Sequence, residues 1–176
     1  MTATAPRTPL RVGVSFGALY GDSAEMAALG AEAEAGGIET LWVPDSPMIY
    51  RDPYATLGFI AGRTRRAALG TLATNPVTRH PAVTAAAILT IQELSGGRAR
   101  LGIAAGDSAV RRLGAPPVAV AELESAVRTI RALLRGESAR GDAGGFSLRF
   151  TRPTAARLEA LPPTSRRSSA TFRPWE

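Results

Sequence analysis

The chain has 176 residues, of which 45% are hydrophobic, so it is long enough for one domain with a hydrophobic core. All basic residues are arginines, and although the formal net charge is +6, they are scattered, which argues against a nucleic-acid partner. The absence of cysteine and lysine excludes disulfides, thiolate metal sites and Schiff-base chemistry. No apolar run approaches the roughly 18 residues of a membrane span, and MTATAPRTPL lacks a signal-peptide core, so a cytoplasmic protein without membrane contact is expected.

Short apolar segments alternate with helical segments along most of the chain. Four strands are predicted, at 10–17, 38–44, 67–74 and 99–106. Asp22 and Glu25 have the spacing of a capping box at the start of the first helix. Asp52 and His80 each precede a proline, which favours a helix starting at both places.

The strands begin about every thirty residues, which is typical of βαβ units in a parallel sheet. Both a doubly wound sheet and a (β/α) barrel fit this α/β alternation. The first turn, FGALYGDS, is not a G-x-G-x-x-G fingerprint, which counts against a dinucleotide-binding fold. An eight-stranded barrel usually needs about 250 residues, so four strands correspond to half of one.

Ligands of parallel α/β folds bind at the carboxyl ends of the strands, so the residues that follow each strand are the candidates. These candidates are Phe16 after the first strand, Asp45 and Ser46 after the second, Thr74 and Asn75 after the third, and Gly106 and Asp107 after the fourth. Such groups suit a planar, hydrogen-bonding ligand. They also suit plainer roles, since both aspartates could cap loops or helices and Asn75 could belong to an ordinary turn.

The single histidine, His80, directly precedes a proline at a predicted helix start and is better explained as a helix cap than as a catalyst. A lone histidine with few clustered carboxylates gives no metal-ligand constellation, so no catalytic metal is expected. A Ser-His-Asp triad is disfavoured because no G-x-S-x-G elbow is present.

The segments LWVPDSPMIYRDPYATL and LGTLATNPVTRHPAVTAAAILTIQELSGGRARLGIAAGDSAVRRLG resemble the bacterial luciferase-like superfamily. Within it, they are most similar to deazaflavin-dependent oxidoreductases related to methylenetetrahydromethanopterin reductase. The resemblance covers about residues 10–150. It implies a (β/α)8 TIM barrel, of which this chain would supply the N-terminal half: four βα units plus a short strand or hairpin near 145–150.

The resemblance also implies a cofactor site for coenzyme F420 or FMN at the carboxyl ends of the strands. The ring would carry hydride to or from a small-molecule substrate. In the family, a bulge with a non-prolyl cis peptide supports the ring, and here it would fall at Leu72-Ala73. The implied cofactor-binding residues are Phe16, Leu72, Ala73, Thr74, Asn75, Gly106 and Asp107.

Asp45 and Ser46 are the implied catalytic residues. Asp45 would lie near the ring and the substrate. Ser46 stands where well-studied members have a proton-handling histidine, and a serine is a poor general base at neutral pH. Either the substrate chemistry differs in this chain or the proton moves by another route.

The composition predicts a disordered N-terminus at 1–9, a partial barrel domain at 10–150 and a disordered tail at 151–176, for which out-of-frame translation is a hypothesis. Two functions therefore remain open. The chain is an oxidoreductase, or it is a catalytically inactive half-barrel, either a gene remnant or a subunit that needs a partner half. A homo-oligomer that covers the open strand edges is a further expectation.

Overall fold

The computed structural model describes residues 10–17, 21–140 and 147–148 of the chain. Strands and helices alternate as the sequence predicts. The elements in chain order are β1 (Gly13–Ser15), α1 (Ser23–Ala35), β2 (Thr40–Val43), α2 (Pro53–Arg63), β3 (Ala68–Thr74), α3 (Pro81–Ser95), β4 (Ala99–Ile103), α4 (Ser108–Arg111), α5 (Val120–Leu134), β5 (Ala139–Arg140) and β6 (Ser147–Leu148).

The first four strands form one parallel sheet in the order β1-β2-β3-β4. A doubly wound sheet reverses its strand order at a switch point, whereas a barrel adds each strand beside the previous one. The observed order therefore decides between the two predicted architectures in favour of the N-terminal half of a barrel.

Helices cover one face of this sheet and form the hydrophobic core with it. Leu41 of β2 and Leu69 of β3 are completely buried, as are Leu57 of α2 and Ile88 of α3. At about 25 cal/mol for each Å² of apolar surface, burial of these side chains is the main force that holds the layers together. The core thus fixes the strand positions from which the loops at the carboxyl ends project.

The helix starts follow the predicted capping chemistry. The Asp22 carboxylate accepts hydrogen bonds from the backbone of Ala24 and Glu25 at 2.8 and 3.0 Å, and Glu25 accepts one from the Asp22 backbone at 2.9 Å. The side chain of His80 caps α3, because its Nδ1 accepts a hydrogen bond from the Ala82 backbone at 3.1 Å. The prediction that the lone histidine is a cap is confirmed.

β3 is irregular near its carboxyl end. Its register with β4 shifts between Thr71 and Thr74, and the peptide bond between Leu72 and Ala73 is cis. The predicted position of the bulge and of the cis peptide bond is therefore confirmed. Beside the bulge, Gly102 approaches β3 so closely that a Cβ on it would lie 2.2 Å from the Thr71 carbonyl oxygen.

At the opposite end of the sheet, the buried carboxylate of Glu34 holds the turn that leads into β3. It accepts hydrogen bonds from the backbone of Arg65, Arg66 and Ala67 at 3.0, 2.7 and 2.7 Å. Burial acts to raise the pKa of Glu34, but these three donors and the charge of Arg66 outweigh it, and the pKa is lowered. Glu34 is therefore a charged anchor for this turn.

Arg98, which directly precedes β4, binds several carbonyl oxygens at the same end of the sheet. Its guanidinium donates to the carbonyl oxygens of Ala67, Ser95 and Thr64 at 2.6, 2.7 and 3.1 Å. Since these carbonyls belong to the ends of α2 and α3 and to the start of β3, one side chain joins three elements.

Some details differ from the sequence predictions. The structure confines β1 to residues 13–15 and β4 to 99–103, and it contains the short helix α4, which the sequence analysis did not predict. β6 pairs with β5 in an antiparallel hairpin, which bears out the predicted hairpin arm. The predicted disordered segments 1–9 and 151–176 lie outside the described residues. Within the described ranges, no helix is long and apolar enough to cross a membrane.

Candidate active site

The carboxyl ends of β2 and β3 bring Asp45 and Thr74 into contact. The two strands are parallel neighbours, with Val43 paired to Thr71, so the segments that follow them lie side by side. The Thr74 hydroxyl donates a hydrogen bond to Asp45 Oδ2 at 2.6 Å. Thr74 is completely buried and Asp45 is only 9% exposed, so this bond lies in a largely desolvated place.

The surroundings of Asp45 raise its pKa. Burial raises the pKa of the carboxyl group, the hydrogen bond from Thr74 and the charge of Arg79 act in the opposite direction, and Asp52 raises it further. The net pKa lies above the usual value. A carboxyl group with a raised pKa at a strand end is suited to holding or transferring a proton closer to neutral pH.

Arg79 connects the loop after β3 to the start of α2. Its guanidinium donates to Asp52 Oδ2 at 2.6 Å and lies 4.8 Å from the centroid of the Tyr54 ring. The other oxygen of Asp52 caps α2 by accepting a hydrogen bond from the Tyr54 backbone at 3.0 Å. The ion pair is partly exposed and contributes little stability by itself, but together these contacts order the charged groups around Asp45.

The Tyr54 hydroxyl is buried beside this group. Among the described residues it has no hydrogen-bond partner, and the same is true of the Thr84 hydroxyl. Burial raises the pKa of Tyr54, and the charge of Asp45 raises it further, while the charge of Arg79 acts to lower it. An unsatisfied buried hydroxyl typically costs about 1–3 kcal/mol, so these groups invite an explanation.

Ser46 joins the loop after β2 to the start of α4. Its Oγ lies 3.0 Å from the Oγ of Ser108, a hydrogen-bonding distance at which either atom could be the donor. Ser46 is 8% exposed, so its hydroxyl is held within the structure rather than free in solvent. The pair links the second and fourth strand ends across the site.

Asn75 combines a turn role with an unused donor. Its Oδ1 accepts hydrogen bonds from the backbone of Val77 and Thr78 at 3.1 and 2.9 Å, as an ordinary turn residue would. Its Nδ2 is buried and has no partner in the part of the chain that the structure describes. Gly106 lies against it: a Cβ on Gly106, whose φ is +89°, would be 3.4 Å from the Asn75 Cβ.

Three predicted site residues lie elsewhere or are exposed. Phe16 is a core residue, and its ring lies toward Gly30 of α1, so the structure does not bring it to the polar group around Asp45. Leu72 is half exposed, on the bulge of β3. Asp107 is exposed and forms an ion pair with Arg111 at 2.7 Å, without capping α4 through its side chain.

Tyr54, whose ring lies under Arg79, belongs to the site but was not among the residues predicted from the sequence. It lies within a helix, where its position indicates core rather than a strand end. The available signal is that it follows Pro53 at a helix start, and helix starts face the carboxyl ends of the strands in this fold.

The donor set can be tested against the planar cofactor that the resemblance implies. Leu72 offers a half-exposed apolar surface. Thr74 and Asp45 provide a hydroxyl and a carboxyl group, and Asn75 has a buried amide nitrogen without a partner among the described residues. An apolar surface next to a few hydrogen-bonding groups fits a flat heterocycle. Within the described residues, no group of His, Asp and Glu side chains could hold a metal ion.

Comparison with known proteins now identifies the family. A model described as luciferase-like monooxygenase matches residues 6–168. The chain therefore belongs to the luciferase-like monooxygenase family. The 5,10-methylenetetrahydromethanopterin reductase of Archaeoglobus fulgidus is 40% identical to it over 112 residues, which are 62% of this chain and 33% of the relative.

Solved structures agree with the fold. The coenzyme F420-dependent tetrahydromethanopterin reductase of Methanopyrus kandleri superposes with a TM-score of 0.67 and 26% identity, over 76% of this chain and 43% of that one. The oxygenating constituent of 3,6-diketocamphane monooxygenase from Pseudomonas putida, solved in complex with FMN, gives a TM-score of 0.68 over 82% of this chain and 45% of its own, and its 15% identity supports the fold alone. The chain thus spans between a third and a half of these relatives.

Proposed function

We propose that the chain carries the ring-binding half of an oxidoreductase site, in which coenzyme F420 or FMN exchanges hydride with a small-molecule substrate at the carboxyl ends of the strands. The observation that carries the proposal is the buried hydrogen bond between Thr74 and Asp45, next to the half-exposed Leu72. The family membership and the names of the F420-dependent relatives support it.

The chain's own residues would hold the ring from two sides. Leu72 and Ala73 provide apolar surface for the face of the ring, and Thr74 and Asn75 provide polar groups at its edge. Gly106 and Asp107 would lie near the coenzyme from the fourth strand end, in a turn that requires glycine because the φ of Gly106 is +89° and a Cβ there would lie 2.6 Å from Val110 Cγ1. When bound, the coenzyme supplies the hydride donor or acceptor.

Asp45 would hold the proton that accompanies the hydride. Its Oδ2 accepts the hydrogen bond from Thr74, so Oδ1 is the oxygen left to carry a proton. Because burial raises its pKa, this carboxyl group takes up a proton more readily than an exposed aspartate does. Ser46, whose hydroxyl is paired with that of Ser108, would orient the substrate rather than act as a base.

Cofactor titration tests the proposal. The full chain is titrated with oxidised and reduced F420 and with FMN, and binding is followed by absorbance. Leu72→Asp should weaken binding, because it places a charge under the ring. Leu94→Asp is the matched control, since Leu94 is 59% exposed against 50% for Leu72 and lies at the far end of α3.

The alternative prediction is a catalytically inactive half-barrel, as a gene remnant or a subunit that needs a partner half. The same titration distinguishes it, because a chain that binds none of the cofactors supports this alternative and contradicts the oxidoreductase proposal. The predicted homo-oligomer is tested separately by size-exclusion chromatography with light scattering.

A further inference from the structure

The outer surfaces of α2 and α3 carry almost no charge, unlike those of the other long helices. α1 has glutamates among its exposed residues, and α5 has both glutamates and arginines. In α2 the only charged residue is Arg63, at its carboxyl end, and in α3 it is Glu93, in the last turn. A helix without a charged outer face is normally covered by another element.

Large apolar side chains project from these two helices into solvent. Phe59 of α2 is 58% exposed, and Val83 and Leu94 of α3 are 50% and 59% exposed. Leu94 reaches across to α2, since its Cδ1 lies 3.8 Å from the place that a Cβ on Gly58 would take. Because Phe59 follows Gly58 directly, these side chains belong to one continuous apolar patch, here called the α2/α3 surface, rather than to scattered exposed positions.

We propose that the α2/α3 surface binds a second copy of this chain, to form a symmetric dimer in which α2 of each copy lies against α3 of the other. The proposal goes beyond the proposed function, since it involves neither the cofactor nor the polar group around Asp45. It also uses a surface distinct from the open strand edges, which belong to β1 and β4.

The two charges of the α2/α3 surface argue for a second copy as the partner. Each helix connects neighbouring strands of the parallel sheet, so α2 and α3 run in the same direction, and Arg63 and Glu93 lie near the same end. Neither residue forms an ion pair within the part of the chain that the structure describes. A two-fold axis parallel to the helices brings Arg63 of each copy to the partner's Glu93, so the surface is complementary to itself.

The surroundings of the α2/α3 surface have the pattern of a subunit interface. α2 and α3 pack side by side in the middle of the helical layer, between α1 and α5. The uncharged centre and the charged flanking helices correspond to the apolar core and polar rim of protein interfaces. Helices of 11 and 15 residues present a surface about 20 Å long and 20 Å wide, about half of the roughly 800 Å² that each partner buries in an interface of standard size.

Charge reversal tests the proposed pairing directly. Arg63→Glu places two carboxylates opposite each other at both contacts, and Glu93→Arg places two guanidinium groups there, so each variant should weaken the dimer at least about tenfold. A mixture of the two variants should form a heterodimer, because each copy then meets the opposite charge. The double variant with both reversals should dimerise as the wild type does.

A charge in the apolar centre provides an independent test. Phe59→Asp should give a monomer at concentrations at which the wild type is a dimer, with circular dichroism to check that it is folded. Leu113→Asp is the matched control, because Leu113 is 53% exposed against 58% for Phe59 and lies between α4 and α5. It should leave the dimer unchanged.

Analytical ultracentrifugation of the full chain without cofactor measures the mass and the dissociation constant. A wild type that stays monomeric at its highest soluble concentration would overturn the proposal. A dimer that resists Phe59→Asp and both charge reversals would also overturn it, and would assign the contact to the open strand edges. Since no cofactor is present, the dimer can stand where the cofactor titration fails, and a monomer that binds cofactor would refute the dimer alone.

Discussion

Thr74 donates its hydroxyl hydrogen to Asp45 across 2.6 Å, and this bond joins the end of β3 to the segment that follows β2. Both residues are buried, so the bond depends on the strand register rather than on solvent. A carboxyl group in this position is stabilised by one hydroxyl and opposed by desolvation. Because these two effects oppose each other, the pKa of Asp45 should respond to changes in the residues around it.

The first prediction concerns the pH dependence of stability. The pKa of Asp45 is raised on folding above its usual value of 3.8, so its contribution to the unfolding free energy is fully present below that value. The contribution is lost as the pH rises through the folded-state pKa. Asp45→Asn removes this titration while keeping an oxygen that accepts from Thr74. The variant should therefore gain stability relative to the wild type as the pH rises.

Urea denaturation of both proteins between about pH 3 and pH 8 checks this prediction. In the difference between the two unfolding free energies, the pH-dependent contributions of the other acidic groups cancel. A difference that is constant with pH, or that moves in favour of the wild type as pH rises, contradicts the raised pKa.

A second prediction has the opposite sign. The pKa of Glu34 is lowered on folding from its usual 4.5, so its stabilisation is present above that value and is lost as the pH falls through the folded-state pKa. Glu34→Gln should reduce the unfolding free energy by about 2 kcal/mol at neutral pH, because charged acceptors make the stronger hydrogen bonds. The deficit should shrink in acid.

Glu32→Gln is the control for this carboxylate, since Glu32 is an exposed residue on the same helix. Denaturation midpoints at neutral and acidic pH suffice for the comparison. Equal losses in the two variants would show that the backbone hydrogen bonds to Glu34 do not stabilise the turn.

Much of this arrangement could be predicted from the sequence, for identifiable reasons. Parallel strands end at a common edge, so the placement of Asp45 and Thr74 together follows from chain order. Phe16 could not be placed in the same way, because alternate residues of a strand point to opposite faces and the strand's bounds were two to three residues off. Tyr54 could not be predicted as a site residue, because the sequence pattern of a buried helical residue does not show where its hydroxyl lies.

The third prediction concerns Arg98. Arg98→Met should reduce the unfolding free energy by about 2–3 kcal/mol, since it leaves the carbonyls of Ala67, Ser95 and Thr64 without their charged donor. Arg63→Met, at the exposed end of α2, should change it by no more than about 0.5 kcal/mol. Urea denaturation measures both, and a similar loss in the two variants would remove the claim that Arg98 joins three elements.

The last prediction concerns the close approach of β4 to the bulge. A Cβ on Gly102 would lie 2.2 Å from the Thr71 carbonyl oxygen, and that atom belongs to the backbone and cannot rotate away. Gly102→Ala should therefore cost about 3 kcal/mol or more, the upper range for overpacking. In contrast, Gly62 of α2 has open space where a Cβ would lie, and Gly62→Ala should gain up to about 1 kcal/mol from helix propensity.

Each of the two variants adds one methyl group to the wild type, so opposite changes in stability would reflect the different surroundings of the two positions. Thermal denaturation followed by circular dichroism measures both. Thr71 also bonds Gly102 directly, since its hydroxyl donates to the Gly102 carbonyl at 2.8 Å, so a forced separation would break this contact as well. If Gly102→Ala is as stable as the wild type, β3 and β4 lie further apart at the bulge than the close approach of Gly102 to Thr71 indicates.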